Sequence, residues 1–122
     1  MPLNARDTFP FTHEQAVKTL LEAPWSQEEI LKLRESTLAE VTVTLGNILK
    51  IHWYLGEKTL PLSRHYQRTL GLGHGDDMAS LIVRDFLSRL NDDAFLLQKE
   101  VEIIKSHWHN QGVDPLTLER IS

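Results

Sequence analysis

The sequence predicts an all-α fold: two long antiparallel helices with short flanking helices, in a bundle completed by dimerisation. Three features predict it. Leu31, Leu38, Val41, Leu45, Ile48 and Leu55 recur at steps of three and four, with Arg34 and His52 at the two remaining steps. A second stripe, Val83, Leu87, Leu90, Ala94, Leu97, Val101, Ile104 and Trp108, keeps the same phase without a polar interruption. Capping residues, prolines and glycines then fall where helices should start and stop.

Residues 1–11 read as an extended arm in which Phe9 and Phe11 flank Pro10. The first residues lack a basic region followed by an apolar run, so no secretory signal is expected there. Thr12 caps the first helix, with Gln15 three residues on, and Pro24 stops it, because the residue before proline disfavours helical geometry. Ser26 and Glu29 form a second capping box, which opens a long helix running to about Leu55. Within it Val41-Thr42-Val43-Thr44-Leu45 alternates like a strand. The apolar stripe crosses that segment in phase and no partner strand is visible, so helix is the better reading. Gly46 costs this helix about 1 kcal/mol relative to alanine, or lets a neighbouring helix approach.

Residues 56–75 form a connector punctuated by glycine and Pro61, with a short helix from Ser63 to Leu70. Asp76 and Asp77 then cap a helix that extends to Asn110, a span of about 50 Å. Asn91-Asp92-Asp93 reads as a solvated face of this helix, because the stripe crosses it in phase. Gly112 and Pro115 end the helix in the usual order, and Asp114 caps a last short turn. The whole chain, 1–122, reads as a single helical domain.

The last long helix carries a further apolar set beside its stripe: Leu81, Ile82, Phe86, Phe95, Leu96 and Ile103. An arc that wide needs more than one neighbour, and a second copy of the chain would supply it. This predicts a homodimer whose interface is made either by Val83, Leu87 and Leu97 or by their neighbours Phe86 and Leu96, depending on which set faces the intramolecular partner.

Composition narrows function more than it names it. Hydrophobic residues are 41% and charged residues 25%, as in globular domains, and the formal net charge is −4. With no cysteine there is no disulfide, thiol nucleophile or cysteine zinc site. No run approaches the roughly 18 apolar residues of a membrane span, so no membrane partner is expected and the cytoplasm is the expected compartment. A Gly-x-Ser-x-Gly elbow, a Walker loop and a Rossmann fingerprint are all missing. Gly71-Leu72-Gly73-His74-Gly75 precedes a helix as an anion cradle would, but Asp76 and Asp77 would repel phosphate, so it reads as a turn.

What remains is a non-enzymatic protein-interaction module (a small subunit, adaptor or regulator) that needs no cofactor. Its candidate surfaces are Phe86 and Leu96 on the last helix and Lys58, Arg64, Tyr66 and Arg68 in the connector, where no acidic residue occurs from Lys58 to Gly75. The first alternative is a helical metalloprotein or enzyme using His52, His107 and His109. It lacks the Glu-x-x-His pairs of di-iron bundles, and a histidine on an apolar stripe is more commonly a hydrogen-bonded core residue. The second alternative is a nucleic-acid binder through the connector, for which three cations in a net-acidic chain are few.

Overall fold

The computed structural model describes residues 10–57 and 59–121. The arm up to Phe9, and Lys58, lie outside the described residues. The described part is all-helical: α1 (His13–Glu22), α2 (Gln27–Glu35), α3 (Leu38–His52), α4 (Pro61–His65) continued by a π-helical turn (Tyr66–Leu70), α5 (Gly75–Leu90) and α6 (Leu97–Asn110).

The first helix follows its expected signals. Thr12 accepts from the Gln15 amide at 3.2 Å, and α1 ends before Pro24. Its face His13, Ala16, Val17 and Leu20 is buried against α5. Trp25 then turns back, donating from Nε1 to the Leu20 carbonyl at 2.7 Å and stacking on Phe86 with ring centroids 5.9 Å apart.

The two long helices are each broken. The first break is at Ser36 and Thr37, both in extended backbone with ψ of 151° and 155°. The Ser36 hydroxyl donates to Lys32 O at 2.6 Å, and the Thr37 hydroxyl accepts from the Glu40 amide at 3.2 Å. Adjacent hydroxyls offer the backbone alternatives to its helical bonds, so they close one helix and start the next. Residues 41–45 are helical as expected. Val41, Leu45 and Leu49 face α5, and Gly46 sits over Ala79, where an added Cβ would meet the Ala79 Cβ at 3.6 Å. The stripe is not a continuous seam: Leu31 is 55% exposed and Leu38 44%.

The second break falls at Asn91-Asp92-Asp93, the segment expected to be a solvated helix face. Asp92 adopts φ +58°. The Asp93 amide donates to Ser88 O at 2.7 Å and the Asp92 amide to Arg89 O at 3.3 Å. That pair of bonds is a Schellman motif, with aspartate in the left-handed position usually given to glycine. Gly112 closes α6 by the same motif, as expected, with φ +72°. After it the chain does not form a further helix. Asp114 Oδ1 accepts from the Leu116 and Thr117 amides at 2.8 and 3.2 Å, and Val113 bridges to Arg120. This loop folds back on the end of the connector, where the Gly73 amide donates to Pro115 O at 2.9 Å. A Cβ at Gly73 would come within 1.9 Å of Leu116 O, so only glycine permits the approach.

Helix α5 is the centre of the core. Met78, Leu81, Ile82, Val83 and Phe86 are all inaccessible, covered by α1, α3 and the connector residues Leu62, Tyr66, Leu70 and Leu72. The second apolar set on α5 is therefore covered within the chain. Helix α6 returns antiparallel along α5, held by Arg84–Glu100 at 3.3 Å and by Trp108 Nε1 donating to Asp77 Oδ2 at 2.7 Å. Only Val101 of α6 is buried, and none of α2 is.

Candidate functional site

One polar cluster lies inside the core. His13, at the first turn of α1, points its Nε2 at Asp85 Oδ2 of α5, 2.7 Å away, and its Nδ1 at the Tyr66 hydroxyl of the π-turn, 2.6 Å away. Arg89 donates from Nε to Asp85 Oδ1 at 3.0 Å and from both terminal nitrogens to Glu14 at 2.7 and 2.6 Å. One guanidinium fork thus links an exposed carboxylate to a buried one. The hydrogen bonds from Arg89 hold the Glu14 carboxyl below its ordinary value, and the Arg89 guanidinium is held charged chiefly by Glu14. Burial, with the Asp85 carboxylate adding to it, pushes the Tyr66 phenol well above its ordinary value. Among the described residues no buried side-chain polar atom lacks a partner.

A tyrosine–histidine–carboxylate relay has the ingredients of acid–base chemistry. Its surroundings do not. His13 and Asp85 are each 4% exposed and Tyr66 is inaccessible, so the cluster is closed off from solvent. The cluster joins α1, the π-turn and α5.

The residues singled out from sequence are dispersed. Arg64 and Arg68 are exposed on the connector helix, whereas Tyr66, between them, faces the core. Phe86 is fully buried under Trp25 rather than on a free face, while Leu96 is 64% exposed. His52 is half-buried at the end of α3. His107 and His109 are exposed on α6, the former 3.1 Å from Gln111. Among the described residues no group of three or more His, Asp or Glu is arranged to hold a metal ion.

Two concave surface features stand out, the second of which contains Arg64 and Arg68 of the expected connector surface. A groove of about 350 Å³ runs between α2 and α3, floored by Trp25, Leu33, Val41, Leu45 and Ile48 and rimmed by Glu29, Lys32 and Glu40. A hollow of about 310 Å³ on the connector is lined by Thr59, Pro61, Arg64, His65, Arg68 and Thr69. His13 was missed although it stands three, four and seven residues before Ala16, Val17 and Leu20, so its burial follows from helical periodicity. Among the described residues no helix is long and apolar enough to cross a membrane. Compared with protein-family models, with curated proteins and with solved structures, the chain matches none.

Proposed function

We propose that this chain is a non-enzymatic protein-interaction module, a small subunit, adaptor or regulator, that offers α2 and its groove against α3 to a protein partner in the cytoplasm. The observation that carries this reading is α2 itself. It is ordered by a complete capping box, Ser26 with Glu29, yet it buries no residue, and Leu31 stands 55% exposed on it. A helix presented beside an apolar groove with charged rims suits helix-in-groove recognition. The sealed His13–Asp85–Tyr66 cluster supports a structural use of the chain's acid–base groups.

The test is quantitative capture from the source cell with wild type and with Leu31→Asp on α2 plus Lys32→Glu on the rim of the groove. Both positions are exposed, so stability should change by less than about 0.5 kcal/mol each. A stoichiometric protein partner retained by wild type and lost from the variant supports the reading. Equal capture by both removes this surface from it.

A second reading is a homodimer through α6, which leaves Leu96 64% and Ile103 53% exposed. Sedimentation equilibrium tests it. A mass twice 14.1 kDa that reverts to the monomer on Leu96→Asp supports the dimer, and a single monomer mass across concentrations excludes it.

A further inference from the structure

The connector hollow has a composition that the interaction reading neither uses nor needs. Two guanidiniums, Arg64 and Arg68, stand one turn apart on its wall, and both are exposed. Among the described residues neither has an ion pair or a side-chain hydrogen bond. Some other cations are engaged, Lys50 with Asp76, Arg84 with Glu100, and Arg89 with Glu14 and Asp85, whereas Lys32, Lys99, Lys105 and Arg120 have no ion pair among the described residues. Thr59, His65 and Thr69 also line the hollow, and among the described residues no carboxylate does. No acidic residue occurs between Lys58 and Gly75 in a chain whose net charge is −4. The site is also built where α4 widens into the π-helical turn Tyr66–Leu70. Such turns recur at functional sites because the altered winding re-aims side chains. Here the buried Tyr66 anchors the turn to His13, which fixes the segment carrying Arg68 and Thr69.

From this convergence we propose that the hollow binds a phosphoryl group, as the free ion or as a monoester. The choice of anion follows from the donors. A carboxylate presents two oxygens in one plane and is satisfied by one guanidinium fork. Two guanidinium forks, with threonine and histidine side chains on the same wall, suit an anion with three or four oxygens and a double charge. A nucleic-acid backbone would instead require a track of cations along the surface. Here Arg64 and Arg68 stand together on one short segment, and among the described residues no further Lys or Arg lines the hollow.

The experiment is an amide NMR titration of the full chain at constant ionic strength with inorganic phosphate, phenyl phosphate and, as a control, acetate. The proposal expects saturable shifts confined to residues 59–69 with at least one of the two phosphoryl probes and none with acetate. Tighter binding of phenyl phosphate identifies a monoester as the ligand, and tighter binding of phosphate identifies the free ion. Arg64→Gln plus Arg68→Gln should weaken the binding about tenfold or more, as the loss of charge-assisted hydrogen bonds implies. Because among the described residues neither side chain has an ion pair or a side-chain hydrogen bond, the variant should fold as wild type does. Arg68→Gln alone, with a smaller loss, gives an independent reading. Absence of saturable shifts, equal shifts with acetate, or binding that survives the double substitution would overturn the proposal. So would a single-stranded oligonucleotide that shifts the same amides when neither phosphoryl probe does.

Discussion

His13 shows how a single polar side chain is accommodated in an apolar core. In the neutral imidazole with its proton on Nε2, that N–H donates to Asp85 and Nδ1 accepts from the Tyr66 hydroxyl, so every group is satisfied. His13→Ala would leave the Asp85 carboxylate short of a donor and open a cavity, and should cost about 3–5 kcal/mol in urea unfolding. Tyr66→Phe removes one hydrogen bond and keeps the ring, and should cost about 1–2 kcal/mol. If the two substitutions cost the same, the cluster does not work as described. Glu14 gives a pH dependence with a definite sign. Its folded value lies below 4.5, so its contribution is present above 4.5 and is lost as pH falls through the folded value. Glu14→Gln should therefore be less stable than wild type at neutral pH, and the two should converge in acid. His65 acts in the same direction, because its value is also lowered on folding. Burial chiefly lowers its value below 6.5. It disfavours the fold as pH falls below 6.5, down to its folded value, and His65→Gln should flatten that part of the curve. None of these partnerships could be read from sequence, because His13 finds its partners 53 and 72 residues away.

Element boundaries show which signals decide helix continuity. The apolar stripes correctly assigned helix to residues 41–45 and to both sides of each break, since periodicity reports which face is buried. It does not report whether the backbone between two in-phase segments stays helical. The breaks were written in other residues: Thr37 with Glu40 three on, and Asn91-Asp92-Asp93 with its tolerance of left-handed backbone. Asp92 tests this locally. Asp92→Gly should stabilise the chain by about 1 kcal/mol in thermal unfolding, because glycine occupies φ +58° without strain. An unchanged or lower stability would mean that the side chain does more than occupy a turn. Helix α2 tests the cap in turn. It buries nothing, so Ser26→Ala, worth about 1 kcal/mol, should speed amide exchange in α2 and leave α5 unaffected.

At the scale of the molecule, the two breaks change what is left over. One uninterrupted helix from Asp76 to Asn110 would have carried an apolar arc too wide for the chain to cover, with Phe86 and Leu96 side by side on an association surface. The turn at Asp92 separates them: α5 becomes the fully wrapped centre of the core and takes Phe86 with it, while α6 keeps Leu96 outside. The break at Ser36–Thr37 likewise separates α3, packed on α5, from α2, which is left beside a groove with Leu31 exposed and Leu33 packed only in part against the core. The helical class and the composition of the surfaces were legible in the sequence. Which apolar residues remain for a partner was not, because that depends on where two helices stop.

The claim that α2 awaits a partner is tested most directly by amide hydrogen exchange in the chain alone and in the complex captured from its source cell. The account predicts rapid exchange along Gln27–Glu35 in the free chain, against slow exchange in Met78–Phe86, and marked slowing of the α2 amides in the complex. Protection of α2 equal to that of α5 in the free chain, or α2 exchange unchanged in the complex, would contradict it.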